Sequence, residues 1–150
     1  MNQKRIDTGK APQILIAEVY GDVKVQGWEE PSVLLRGEGY SLEESESGVT
    51  LRSQDALRLV VPHDSTITIE HVHGDLSLKH VNGDAVIKEV TGDAIFKNVG
   101  RLEAERIHGD MVVRSADGPV TLAEVMGDAS LRHTKDVTAG TVHGDLSTHY

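Results

Sequence analysis

Residues 72–150 read VHGDLSLKH, VNGDAVIKE, VTGDAIFKN, VGRLEAER, IHGDMVVRS, ADGPVTLAE, VMGDASLRH, TKDVTAG and TVHGDLSTHY, one short phrase written nine times. With the Asp of Gly-Asp (or its equivalent) as the start, copies begin at 75, 84, 93, 101, 110, 119, 128, 136 and 145. The step is nine residues, twice shortened to eight. A unit this short buries nothing alone, and self-similarity at a fixed period marks a stacked array. Apolar residues recur one, three and six places after each start, as Ala94, Phe96 and Val99 or as Met111, Val113 and Ala116. Apolar positions two apart form one face of a strand, and the third column is dominated by β-branched residues. Gly-Asp then reads as a turn, because Gly tolerates positive φ and Asp bonds nearby amides.

A strand and a turn in nine residues leave the chain heading back, so two copies make one coil of 17–18 residues. Copies starting at 75, 93, 110, 128 and 145 keep Gly-Asp intact and define face A. The alternate copies, with Asn-Gly-Asp, Gly-Arg, Asp-Gly-Pro and Lys-Asp, define face B. Side chains expected to oppose each other pair large with small, Leu76 with Ala85 and Ala94 with Leu102, which suits a thin close-packed core. The expected fold is all-β, a flattened parallel β-solenoid of the right-handed β-helix type, forming a single domain over residues 1–150. Its N-terminal part, 1–71, holds the first coils and an insertion; 72–150 is the regular array.

The phrase already appears at 14–28, ILIAEVYGDVKVQGW, and returns at 67–78, ITIEHVHGDLSL. Between them, 33–61 has longer alternating strands broken by polar turns, which predicts an antiparallel meander or hairpin packed on the first coils. Pro62 and residues 63–65 then turn the chain into the array. This order, followed by LRLVVPHDSTITIEHVHGD at 57–75, resembles the bacterial adhesin-like β-strand repeat family over roughly residues 12–150. The resemblance implies a β-solenoid, found in envelope-associated or stress-response proteins, with no established catalytic activity and no active-site motif to carry over. A second resemblance is to the bactofilins, cytoskeletal β-helices of similar length that share Gly-Asp turns but not this strict half-period. It implies the alternative of a self-assembling cytoskeletal element.

Composition narrows the function. A formal net charge of −9 and a pI near 5.3 argue against duplex DNA as partner. Only five residues are aromatic (Trp28, Phe96, Tyr20, Tyr40 and Tyr150), as a narrow aliphatic core requires. No apolar run approaches the ~20 residues of a membrane helix. The opening MNQKRIDTGK lacks the apolar core of a secretory signal, so the chain as written is expected in the cytoplasm, or at the envelope if it is part of a longer protein. The absence of cysteine excludes disulfides and thiolate metal sites. No nucleophile elbow, phosphate-cradling loop or His-Glu zinc motif is present, so neither an enzyme nor a cofactor is expected.

Three columns carry chemistry. The first is Asp75, Asp93, Asp110, Asp128 and Asp145, stacked about 4.8 Å apart in register. Such carboxylates need a cation, a histidine or backbone amides to offset their repulsion. The reading is a structural turn with a cation ladder as the alternative, since calcium takes six or more oxygens. The second is His73, His108 and His143, which sit on alternate coils about 9.6 Å apart and so cannot share one zinc ion with ~2 Å bonds. The third is Lys79, Lys97, Arg114, Arg132 and His149, an outward row of cations on face A beside Ser77, Ser130 and Ser147. It is a candidate docking strip for an extended anionic polymer, an envelope surface or a protein partner, weighed against solubility and edge protection. Finally, the phrase stops after Leu146 and Thr148 without a covering element, which predicts a homodimer through residues 137–150.

Overall fold

The computed structural model describes residues 2–7, 12–37, 39–44, 46, 48–134 and 136–149, with no helix among them. In chain order the strands are β1 (Asn2–Asp7), β2 (Gln13–Val19), β3 (Val23–Trp28), β4 (Ser32–Gly37), β5 (Tyr40–Glu44), β6 (Gly48–Ser53), β7 (Leu57–Pro62) and β8 (Thr66–Val72). The regular array follows as β9 (Leu76–Lys79), β10 (Ala85–Val90), β11 (Ala94–Val99), β12 (Leu102–Ile107), β13 (Met111–Ala116), β14 (Val120–Val125), β15 (Ala129–Arg132), β16 (Val137–Val142) and β17 (Leu146–His149). Face A is a nine-stranded sheet in the order β1-β4-β7-β3-β9-β11-β13-β15-β17. Face B is an eight-stranded sheet, β16-β14-β12-β10-β8-β2-β6-β5. From β8 onward successive strands alternate between the sheets, and every neighbour within a sheet is parallel, 17 or 18 residues away in register. The parallel β-solenoid expected from the repeat is the fold.

The three apolar columns fill the space between the sheets. From the copy at 75 through the copy at 128 every one of these positions is buried, including Phe96, Leu131 and Thr134. Each fully buried Val, Leu or Ile stabilises by about 1.5–3 kcal/mol, and no residue needs to be large because the layer is thin. Burial fades in the last coil, where Val137, Ala139 and Val142 are partly buried and Leu146 is 46% exposed.

The stretch 33–61 is only half antiparallel. β4 pairs antiparallel with β7 and with β1, and β5 pairs antiparallel with β6. β6 and β7, however, form a further parallel coil on β2 and β3, on the side opposite β8 and β9. The coil first in sequence is therefore interior to the stack. Val49, Leu51, Leu57, Leu59 and Val61 are buried in the same alternation as the later coils, so parallel stacking on β2 and β3 buries them equally well. The antiparallel strands then close that end of the array.

The two corners of each coil are built differently. At the Gly-Asp corner, Gly92, Gly109, Gly127 and Gly144 each donate their N–H to the carbonyl of the glycine one coil earlier. None of these glycines has positive φ; among the described glycines only Gly39 does, at 68°. The physical reason for glycine is space, not conformational freedom. A Cβ on Gly109 would overlap Asp93 Oδ1 and the Gly92 carbonyl, and the other corner glycines repeat the pattern. The left-handed residues are at the opposite corner, His80, Asn98, Ser115 and His133, with φ of 57°, 53°, 77° and 56°. Asn and His are among the non-glycine types that most readily adopt this conformation.

Candidate functional site

The aspartate column forms as expected, and backbone amides offset its charge. The N–H groups of Asp93, Asp110, Asp128 and Asp145 donate to Oδ1 of Asp75, Asp93, Asp110 and Asp128, at 2.8–2.9 Å. The ladder begins one coil earlier, with Asp75 N–H on Asp22 Oδ1 at 2.9 Å. Glycine and aspartate are thus one device: the glycine of each coil leaves room for the carboxylate of the coil before it. With one oxygen per turn already bound to an amide, the column falls far short of a calcium cage.

The cation row is also in register. Lys79, Lys97, Arg114, Arg132 and His149 are successive partners across β9, β11, β13, β15 and β17. The side chain of His149 lies outside the described residues. Toward the other end of the sheet the row steps sideways by two residues, because Lys79 is the partner of Gln26 and Lys24 that of Ser77, and a second group of cations that the repeat did not reveal follows. Lys24 is the partner of Arg58, and Arg58 of Arg36, on β3, β7 and β4. These three line a shallow depression of about 340 Å³ with Gln26 and Leu34. Lys24, Arg36, Arg58, Lys79, Lys97, Arg114 and Arg132 are all exposed. Among the described residues none of them forms an ion pair. No acidic residue occupies an outward strand position of this sheet from β4 to β15.

Face B handles charge in the opposite way. Across β6, β2, β8, β10, β12 and β14 one outward file reads Arg52, Glu18, His71, Glu89, Arg106 and Glu124, alternating basic with acidic side chains. Arg106 Nε donates to Glu124 Oε1 at 3.1 Å, and His71 Nδ1 lies 3.4 Å from Glu89 Oε1. Next to it runs the histidine column. His73, His108 and His143 each reach back one coil through Nε2, to Glu18 at 3.4 Å, Glu89 at 2.9 Å and Glu124 at 3.3 Å. They remain separate sites, as their spacing predicted. The Tyr20 hydroxyl, then His73, hold Glu18 below its usual carboxylate range. The hydrogen bond from His108 does the same for Glu89, and that from His143 for Glu124. The Glu18 carboxylate in turn pushes the Tyr20 phenol up.

A trio that sequence reading did not assemble is Glu18, His71 and His73, whose ligand-type atoms lie within 4.8 Å of one another. The signal for it was present: His-Val-His at 71–73 on a strand projects both imidazoles to one side. What the sequence hid is that β2 is the neighbouring strand. Among the described residues, no helix is long and apolar enough to cross a membrane. Comparison with protein-family models, curated proteins and solved structures finds no match.

Proposed function

We propose that this all-β repeat scaffold is non-catalytic and docks an extended anionic polymer along the outer surface of its nine-stranded sheet. One observation carries the reading. An acidic chain pairs one file of charges on face B, whereas on face A seven cations, in two in-register groups offset by two residues, form no ion pair among the described residues and have no acid on the strands around them. Like charges in directly opposed sheet positions repel, and a polyanion along the file removes that repulsion. From Arg36 to Arg132 the file crosses seven strands, about 29 Å at the usual inter-strand spacing. Edge protection accounts for it poorly, because the cations span the middle of the sheet while its edges are β1 and β17. The resemblance to adhesin-like envelope repeats agrees with an anionic envelope polymer as the natural ligand.

The test is binding of labelled polyphosphate, with vesicles containing phosphatidylglycerol as a second probe. Lys97, Arg114 and Arg132 changed together to Ser should lose at least tenfold in polyphosphate affinity with an unchanged circular dichroism spectrum. The Lys24, Arg36 and Arg58 triple should do likewise, and Lys88→Ser on face B should not. Polymer binding that survives both triples refutes the proposal, and binding confined to vesicles refutes the polymer in favour of a lipid surface.

A second reading, self-association, is favoured by the exposed Leu146 and the partly buried Val137, Ala139 and Val142 in the coil of β16 and β17. The opposite end of the stack is closed by antiparallel strands, which cannot continue a parallel array. Association of these 150 residues through the open coil therefore gives a two-fold dimer rather than a bactofilin-like filament. Sedimentation should show a concentration-dependent dimer weakened by Leu146→Asp. A monomer at high micromolar concentration removes the dimer, and an indefinite polymer restores the filament.

A further inference from the structure

We propose that Glu18, His71 and His73 form a site for a late first-row divalent metal ion, with zinc the best match. His71 and His73 project outward from the end of β8 while Val72 between them is fully buried. Glu18 on β2 is the direct sheet partner of His71 and reaches diagonally to His73. Tetrahedral zinc with bonds near 2.0–2.1 Å sets its ligand atoms about 3.4 Å apart. Glu18 Oε2 and His73 Nε2 already stand at 3.4 Å, and one ligand atom from each of the three residues lies within 4.8 Å of the other two.

The imidazoles of His71 and His73 are stacked, 4.0 Å between centroids and 16° from parallel. Parallel rings aim their lone pairs side by side, so ligation requires one ring to turn toward the other. His73 is held between the His71 ring and the Tyr20 ring, the latter stacked 4.4 Å away, so the turn falls to His71, whose side chain is about one-third exposed. His71 must also release a weak contact, to Glu89 Oε1 at 3.4 Å or to Thr91 Oγ1 at 3.3 Å. Glu18 is better prepared. The Tyr20 hydroxyl donates to its Oε1 at 2.9 Å and leaves Oε2 toward His73, the kind of outer hydrogen bond that orients a ligating carboxylate. Two imidazoles, a carboxylate and an open position suit zinc, copper or nickel and disfavour magnesium and calcium.

The repeat supplies its own comparison. The same frame recurs every 35 residues: His71 and His73, then Arg106 and His108, then Thr141 and His143. Their acidic partners are Glu18, Glu89 and Glu124. Only the first copy has a second imidazole, and it alone makes a three-donor group among the described residues. Glu18 and His71 also belong to β2 and β8, the strands that join when the chain returns past β4 to β7. A metal there clamps that return, so binding should raise the melting temperature as well.

The experiment uses the untagged full chain after treatment with a chelator, titrated calorimetrically with zinc at neutral pH and with magnesium as a control. One equivalent of zinc should bind at micromolar affinity, raise the melting temperature and shift the side-chain resonances of His71 and His73. His71→Ala and His73→Ala should each weaken binding at least tenfold, while His143→Ala leaves it unchanged. Absence of saturable zinc binding overturns the proposal. So does stoichiometric binding that persists in the His71→Ala/His73→Ala double variant, or, should that variant misfold, resonance shifts in the parent confined to other histidines.

Discussion

Truncating Phe96 to Ala removes the one phenylalanine of the chain from the centre of the stack. Its side chain is fully buried, and its partners in register are Leu78 one coil earlier and Val113 one coil later. Phe→Ala in a closed core costs about 3–5 kcal/mol, less where the surroundings collapse into the space. Collapse is restricted here, because Leu78 and Val113 are held by ladders on both sides and cannot slide along the stack without breaking parallel pairing. The upper half of the range is therefore expected. For a chain of this length about 1 kcal/mol moves the melting point by ~2–4 °C, so the loss should be about 8–20 °C. In a stack each coil is supported mainly by its neighbours, so the damage should also weaken coupling between the coils before and after β11. Hydrogen exchange should then show β13 to β17 opening at lower free energy than β2 and β8. Ile95→Ala serves as the control, because the adjacent side chain points outward and is 44% exposed; it should stay within about 1 kcal/mol of the parent. A Phe96→Ala protein that melts with the parent would refute the assignment of inward columns.

The corner ladder gives a paired test: Asp93→Ala should lose about 1 kcal/mol in denaturant unfolding through its bond to the Asp110 amide. Gly109→Ala should lose more, because its Cβ meets the Gly92 backbone as well as the Asp93 carboxylate, and equal losses would contradict the spatial argument. The hydroxyl of Thr134 is buried without a hydrogen-bond partner among the described residues, so Thr134→Val should stabilise by about 1 kcal/mol in the same measurement; a loss would reveal a bond to it. Glu124 should titrate below 4.5 by carbon-detected NMR and move back toward it in His143→Gln. Since its folded value is the depressed one, this pairing stabilises above pH 4.5 and is lost as pH falls through the lower folded value. A Glu124 midpoint unchanged by His143→Gln would remove histidine as the cause.

The repeat by itself determined the strands, the two faces, the coil length and the inward columns. Each of these depends on local alternation and period, which nine copies state redundantly. It also placed Lys79, Lys97, Arg114 and Arg132 in one row, because residues at one phase of a stacked repeat must align. What it could not determine was how unlike segments meet. Val49 to Val61 alternate as either a hairpin or a coil would, and only docking beside β2 and β3 selected the parallel coil. That docking extends the cation file to Lys24, Arg58 and Arg36, and the return of β8 to β2 sets Glu18 against His71 and His73. Glycine at the corner was legible, but its reason was not: positive φ is a property of one residue, whereas the space for an aspartate belongs to the coil before it. Contacts between unlike segments some 35 to 53 residues apart leave no periodic trace, and tertiary pairing alone decides them.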